Sequence, residues 1–201
     1  MRAYFRNTIR TITDAFESLD EEQYSLLLNQ CADCIKNGGK IIASGLGKNT
    51  PICEKFVGTL NSLGIPAAFL HANTAIHGDL GVVRKSDILL VLSKSGNTME
   101  SVELVRHLRN RGINMWLISF AASSRLFKMI NSKIILRLDG EGDNWNIIPN
   151  NSTSVFLILL QGIALNLADR LGVTLDEFKD NHPGGDIGER LQNGSGGIYN
   201  E

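Results

Sequence analysis

The chain has 201 residues, of which 43% are hydrophobic, and a formal net charge of -1. This length suits one domain with a substantial core, and the near-neutral charge argues against nucleic-acid or membrane-surface partners. The first ten residues lack the apolar run of a signal peptide, and the longest uninterrupted apolar run, 155–160, is too short to span a membrane. We therefore expect a cytoplasmic protein.

The chain has three cysteines, Cys31, Cys34 and Cys53. This low, odd number argues against a disulfide framework. Cys31 and Cys34 form a C-A-D-C sequence, which could indicate metal or redox chemistry. However, both fall at helical spacing among the apolar residues of the segment 24–35, so we expect them in a core.

In chain order, helices come first, and Asp20 with Gln23 resembles a capping box that begins a helix ending near Gly38. Strands and helices then alternate, which predicts a parallel α/β sheet with right-handed crossovers. Predicted strands are 41–44, 67–70, 87–92, 114–119 and 133–138, and predicted helices are 51–63, 99–110, 123–130 and a long, almost wholly apolar 152–171. A short segment, 175–191, follows, and 194–201 reads as a flexible tail, leaving one domain over 1–193.

One loop is typical of an anion site. Residues 91–100 read V-L-S-K-S-G-N-T-M-E, a buried strand followed by three hydroxyls, on Ser93, Ser95 and Thr98, and then a helix. The first turn of that helix offers free N–H groups and the positive end of its dipole, which favours a phosphate. It is neither a P-loop nor a dinucleotide fingerprint. The alternative is a serine-rich turn without a ligand.

Other polar residues follow the predicted strands and the start of the long helix. Because ligands bind outside the carboxyl ends of parallel strands, these groups are expected to form one pocket. They are Ser44, Gly45 and Lys48 after the first strand, Glu100 after the third, Glu141 after the fifth, and Ser152. Each of these residues has a plainer explanation as a solvated or helix-capping residue. The same explanation applies to the histidines His71 and His107, for which we prefer it.

This set of groups suits aldose–ketose isomerisation. A phosphate cradle anchors one end of the sugar, a carboxylate moves a proton between adjacent carbons, and a lysine stabilises the enediolate. No metal-ligand spacing is evident, so we expect neither a metal nor an organic cofactor.

Four stretches resemble one family: G-L-G-K-N at 45–49, H-G-D-L-G at 77–81, S-K-S-G-N-T at 93–98 and N-H-P-G-G at 181–185. From about residue 32 to 191, the chain is similar to sugar isomerase (SIS) domains of the arabinose 5-phosphate isomerase type. The resemblance implies a three-layer α/β/α sandwich, flavodoxin-like and doubly wound, around a five-stranded parallel sheet. It also implies a homotetramer with sites shared between subunits.

The resemblance implies interconversion of D-ribulose 5-phosphate and D-arabinose 5-phosphate, which feeds Kdo synthesis for lipopolysaccharide or capsule. It implies catalytic roles for Lys48, Glu100, Glu141 and His182. It implies substrate or phosphate contacts at Ser44, Gly45, His77, Ser93, Ser95, Asn97, Thr98 and Ser152. His182 is expected on an extended, non-helical arm that reaches a neighbouring subunit, because Pro183 and two glycines follow it.

Two stretches depart from the family pattern. Lys94 stands where members usually carry asparagine, and P-N-N-S-T at 149–153 replaces P-T-S-S-T. Many members continue into a tandem CBS pair, which we do not expect here. Two alternatives stay open: a non-catalytic sugar-phosphate or nucleotide-sugar sensor on the same fold, and an isomerase of a hexulose or heptulose phosphate.

Overall fold

The computed structural model describes residues 2–192. The strands are β1 (Ile41–Gly45), β2 (Ala67–Phe69), β3 (Ile88–Leu92), β4 (Asn114–Ser119) and β5 (Ser132–Ile135). The helices are α1 (Arg2–Glu17), α2 (Glu21–Lys36), α3 (Asn49–Ser62), α4 (Ala72–Ala75), α5 (Met99–Arg109), α6 (Arg125–Met129), α7 (Asn151–Leu171), α8 (Leu175–Asp180) and α9 (Gly185–Gln192), with a short 3₁₀ helix at Asp79–Val82.

The five strands form one parallel sheet in the order β2-β1-β3-β4-β5. Each residue of β1 and of β3 is buried, as expected for strands covered on both faces. From β1 the chain crosses to β2 on one side, then returns to β3 on the other side of β1 and continues to β4 and β5. The strand order therefore reverses between β1 and β3, which is where such sheets open a ligand crevice at their carboxyl ends.

Two hydrophobic cores cover the two faces of the sheet. Alternate residues of β1, such as Ile41 and Ala43, pack with α2, α3 and α7 on one face. Ile42 and the facing residues of β3 pack with α4, α5 and α6 on the other. This arrangement confirms the three-layer α/β/α sandwich with a five-stranded parallel sheet.

Helix α7 links the carboxyl and amino edges of the sheet. Its 21 residues span roughly 30 Å at 1.5 Å per residue. By length and composition, α7 is the one helix within residues 2–192 that is apolar enough to cross a membrane. It packs against α1, α2 and α3, and residues such as Phe156 and Ile163 are fully buried, as in the core helix of a domain.

Two boundaries differ from the sequence prediction. Strand β5 ends at Ile135 rather than 138, because its partner β4 ends at Ser119 and the Leu136 N–H makes the last bond to the Ser119 carbonyl, at 3.0 Å. The expectation of a non-helical arm after His182 is wrong, because helix α9 begins at Gly185. The predicted tail, 194–201, lies outside the described residues, and the single-domain boundary stays a prediction.

Candidate functional site

With the exception of His182, the residues expected to carry chemistry lie at the carboxyl edge of the sheet, where β1 and β3 meet. Ser44 is 1% exposed, and its hydroxyl has no hydrogen-bond partner among residues 2–192. A buried polar group without a partner is costly, so this hydroxyl is suited to a ligand that supplies one. Gly45 packs tightly, since a Cβ there would lie 2.9 Å from Asn49 and 3.1 Å from the Cys53 sulfur.

The hydroxyl loop after β3 is braced by its own side chains. The Ser93 hydroxyl accepts from the Gly96 N–H at 3.1 Å, and the Ser95 hydroxyl accepts from the Asn97 N–H at 3.2 Å. The Asn97 amide donates to the Ser95 carbonyl and accepts from the Arg125 N–H at 3.0 Å, which ties the loop to α6. Asn97 is therefore occupied in shaping the loop, while Ser95 stays exposed on its surface.

Gly96 is required at the tip of this loop. Its φ of +62° is a left-handed conformation, and a Cβ would lie 2.0 Å from the Ser124 hydroxyl oxygen. The loop can thus approach the cap of α6 closely. Thr98 follows at the N-cap of α5, where the described residues show no side-chain capping bond, so the Thr98 hydroxyl does not occupy the first N–H groups of that helix.

Glu141 is the most constrained residue of the site, with a side chain that is 0% exposed. Its Oε1 lies 2.6 Å from the Ser152 hydroxyl and 2.6 Å from Lys94 Nζ. Its Oε2 accepts from the backbone N–H groups of Asn150, at 3.0 Å, and Ser152, at 2.9 Å. The Glu141 N–H in turn donates to the Asn146 side chain at 2.6 Å.

These contacts decide the charge of Glu141. Burial raises its pKa, but the hydrogen bonds from Lys94, Ser152 and Asn150 favour the ionised form and outweigh burial, so the pKa is lowered. The site therefore holds a carboxylate that is charged at neutral pH and surrounded by donors.

The other predicted residues occupy the same edge with fewer contacts. Lys48 is exposed at the N-cap of α3 and lines a cavity of about 280 Å³ together with Pro149 and Thr153. Glu100 is exposed on the first turn of α5, and His77 is exposed between α4 and the 3₁₀ helix. The structure therefore brings Ser152 onto Glu141 and Lys48 beside the start of α7.

His182 lies at the opposite, amino edge of the sheet. Its ring stacks on Phe178 with centroids 4.0 Å apart, and Nδ1 is 2.8 Å from the Phe178 carbonyl. The neighbouring Asn181 donates to the Ser62 carbonyl, beside the loop that enters β2. A chain's own His182 is thus separated from its own Glu141 by most of the length of α7.

The sequence analysis missed the contact between Lys94 and Glu141. Lys94 was noted only as a departure from the family pattern. The two residues are 47 positions apart, and the spacing of the motifs gave no sign of their pairing. Within residues 2–192, no group of three or more His, Cys, Asp or Glu side chains is arranged to hold a metal ion.

The fold and the site together define a class of protein. The chain belongs to the SIS domain family, whose model matches residues 35–168. Two curated relatives are arabinose 5-phosphate isomerase KdsD of Pseudomonas aeruginosa, 32% identical over 92% of this chain, and arabinose 5-phosphate isomerase KpsF of Escherichia coli, 33% identical over 87%. The chain spans 57% and 53% of their respective lengths.

One solved structure is similar to this chain over nearly the whole length of both. A protein of Escherichia coli CFT073, solved in complex with the sugar phosphate arabinose 5-phosphate, aligns with a TM-score of 0.84 at 27% identity, covering 90% of this chain and 95% of that one.

We predict that Glu141 stabilises the fold in a pH-dependent way. Because its folded pKa is lowered from 4.5, its ionised form stabilises the protein at neutral pH, and this contribution is lost as the pH falls below 4.5 through the folded pKa. Glu141→Gln should lower the free energy of unfolding by about 3 kcal/mol at neutral pH and by less in acid. Urea unfolding across pH tests this, with the exposed Glu54→Gln as control. An equal loss at all pH values would contradict it.

Proposed function

We propose that this protein is an aldose–ketose isomerase that interconverts D-ribulose 5-phosphate and D-arabinose 5-phosphate through an enediolate. The observation that carries the proposal is the buried, ionised carboxylate of Glu141 beside a hydroxyl loop at one edge of the sheet. The names of the two curated relatives support the substrate pair, as does the sugar-phosphate complex of a similar structure. A sensor needs the loop but has no use for a charged base, so this observation favours catalysis.

The loop 93–98 and the start of α5 are proposed to bind the phosphate. The Ser95 hydroxyl and the first N–H groups of α5 are donors, and the dipole of an 11-residue helix adds positive potential. Ser93, Thr98, Ser44 and Gly45 line the same edge. Anchoring the phosphate there leaves the reactive carbons of the sugar to extend toward Glu141, since Lys94 of this loop contacts that carboxylate.

Glu141 is proposed as the base that moves the proton between C1 and C2. It takes the carbon-bound proton, the C–H electron pair becomes the C=C bond of the enediolate, and the carbonyl electrons move onto oxygen. Returning the proton to the neighbouring carbon, with transfer of the hydroxyl proton of the first carbon to the oxyanion, completes the isomerisation. Ser152 orients the carboxylate through its hydroxyl, 2.6 Å from Oε1.

Lys48, Glu100 and His77 are proposed in supporting roles. Lys48 is assigned as a cation for the developing oxyanion, and it shares a cavity with Thr153, the residue after Ser152. Glu100 is assigned as an orienting or oxygen-side acid–base group, and His77 as a lining residue. Their exposure in the free chain is compatible with contacts that form only when substrate binds.

His182 is proposed to open the sugar ring from a neighbouring subunit. Arabinose 5-phosphate closes only through O4, because O5 carries the phosphate, and ring opening needs a proton on O4. Histidine can deliver that proton near neutral pH. Since His182 lies at the far edge of its own domain, beside Phe178, only the site of another chain is within its reach in such an assembly.

A homotetramer is proposed as that assembly. Helix α7 leaves Leu157, Ile158 and Leu165 exposed, and α1 leaves Phe5 and Ile9 exposed. Apolar faces on two neighbouring helices favour association between copies. We further propose a cytoplasmic location and a role in Kdo synthesis, with a sugar phosphate as the small-molecule partner and neither nucleic acid nor membrane involved.

We predict that the purified protein equilibrates ribulose 5-phosphate with arabinose 5-phosphate and is much slower with fructose and sedoheptulose phosphates. Glu141→Gln keeps the shape of the side chain but loses its basicity, so exchange of the transferred hydrogen with deuterated solvent should fall at least about 10³-fold. Product separation and NMR measure both results. Exchange at the wild-type rate would assign the base to Glu100 instead, and turnover of none of these sugars would favour a sensor.

We predict that the sites are shared between subunits. Glu141→Gln and His182→Ala proteins should each be nearly inactive alone. After co-refolding in equal amounts, hybrids should regain about one quarter of wild-type activity, because a site needs an intact Glu141 from one chain and an intact His182 from another. Mixtures of Glu141→Gln with the exposed-histidine variant His107→Ala serve as control. Hybrids verified by mass that stay inactive would contradict shared sites.

A further inference from the structure

The Glu141 carboxylate has no free lone pair for a substrate proton. Its Oε1 contacts the Ser152 hydroxyl and the Lys94 ammonium, both at 2.6 Å. Its Oε2 accepts two backbone N–H groups, from Asn150 and Ser152. A carboxylate offers about four lone-pair positions, so four donors saturate it. A base in this state must release one partner before it can act.

Lys94 is the partner that is free to leave. The two N–H groups belong to the backbone at the start of α7, and Ser152 is 2% exposed. The Lys94 side chain is 43% exposed and ends a flexible four-carbon stem. Its backbone is held in place, because its carbonyl accepts from the Ser119 hydroxyl at 3.2 Å and the Phe120 N–H at 3.4 Å. The ammonium group can therefore move while the loop stays fixed.

Lys94 also lies where its ammonium group, after leaving Glu141, can contact the substrate. It stands between Ser93 and Ser95 in the hydroxyl loop, and its ammonium reaches Glu141 from there. With the phosphate of the sugar at its proposed position on this loop, we expect the reactive carbons to lie between the loop and the carboxylate. A cation that leaves Oε1 enters the space of the substrate oxygens on those carbons.

We propose that Lys94 is an exchangeable partner of Glu141. In the free enzyme its ammonium group pairs with the carboxylate, and when substrate binds it leaves the carboxylate and moves to the substrate oxygen on which negative charge develops. This inference rests on the proposed function, because it takes Glu141 as the base. It makes Lys94 both a positioning residue for Glu141 and a catalytic residue at the substrate oxygen.

The exchange balances protons and charge. The carbon-bound proton passes to Oε1 of Glu141, the C–H pair forms the C=C bond, and the carbonyl pair moves to oxygen, where the Lys94 ammonium stabilises the anion without giving up its proton. Glu141 then returns its proton to the former carbonyl carbon, where the C=C pair forms the new C–H bond. The hydroxyl proton on the carbon that was first deprotonated passes to the oxyanion, and the O–H pair left behind forms the new C=O bond. Lys94 goes back to Glu141 on product release.

In the free enzyme, the contact with Lys94 helps to keep the Glu141 carboxylate ionised. The groups that face the carboxylate from the loop before α7 and from α7 itself are neutral: the Asn150 N–H and the N–H and hydroxyl of Ser152. Among the described residues, Lys94 is the charged side chain in contact with it. Removing the ammonium should therefore move the protonation of Glu141 to higher pH.

The test compares Lys94→Met, Lys94→Gln and Lys94→Arg with Glu141→Gln and with Lys36→Met, an exposed lysine at the end of α2. Lys94→Met and Lys94→Gln should lower kcat about 10²-fold, as expected for loss of one oxyanion donor, and the acid limb of kcat/KM should move to higher pH. Lys94→Arg should keep the acid limb of wild type. Lys36→Met should match wild type, and thermal melting reports whether each variant folds.

The outcomes separate this inference from the proposed function. Lys94→Met and Lys94→Gln with wild-type kcat and an unmoved acid limb, alongside an inactive Glu141→Gln, would overturn the role of Lys94 and leave the isomerase intact. A loss of activity that follows melting temperature alone, with an unmoved acid limb, would also overturn it. Exchange by Glu141→Gln at the wild-type rate would overturn the base assignment and this inference with it.

Discussion

The site is built around one buried negative charge. Removing a carboxylate from water is very costly unless donors replace the lost hydration, and Glu141 is completely buried. Its donors come from three places in the chain: Lys94 after β3, Asn150 before α7, and Ser152 in the first turn of α7. Keeping this charge satisfied therefore holds the loop after β5 against the start of the core helix, and in the free chain the Lys94 side chain connects the hydroxyl loop to both.

The reversal of strand order between β1 and β3 creates the crevice beside which the Glu141 carboxylate lies. Crossovers from β1 and β3 leave in opposite directions, so the loops at their carboxyl ends separate and leave a crevice between them. Helix α7 begins at this edge and ends at the other, where His182 follows α8. A domain of this form has the Glu141 carboxylate at one edge and His182 at the other. In the proposed assembly, packing of copies brings the two together, so we expect oligomerisation and catalysis to be linked.

The sequence predicted the architecture because helical stretches separate its strands, and the central strands β1 and β3, which are buried along their whole length, read as continuous apolar runs. The strand β4 was placed at its observed bounds, 114–119, for this reason. Strand β5 was predicted too long, since apolar residues such as Leu138 continue into the core after the neighbouring strand has ended. The helix α9 was missed because Pro183 and two glycines suggested extended backbone, whereas they only lead into its first turn.

The sequence identified the residues of the candidate site but not their contacts. Family motifs identified Glu141 and Ser152 separately, and their pairing follows from α7 beginning beside the carboxylate. The contact between Lys94 and Glu141 depends on two loops that are distant in sequence, and no local pattern encodes it. The position of His182 at the far edge likewise emerges only from the length of α7 and the turn after it.

A crystal structure of the wild-type protein with arabinose 5-phosphate tests the central claim most directly. We expect the phosphate on the Ser95 loop and the first turn of α5, the C1–C2 bond within hydrogen-bonding reach of Glu141 Oε1, about 3 Å, and Lys94 Nζ on a sugar oxygen. His182 of a neighbouring copy should face the ring oxygen. A phosphate bound at the amino edge of the sheet, or a sugar whose reactive carbons point away from Glu141, would contradict the account.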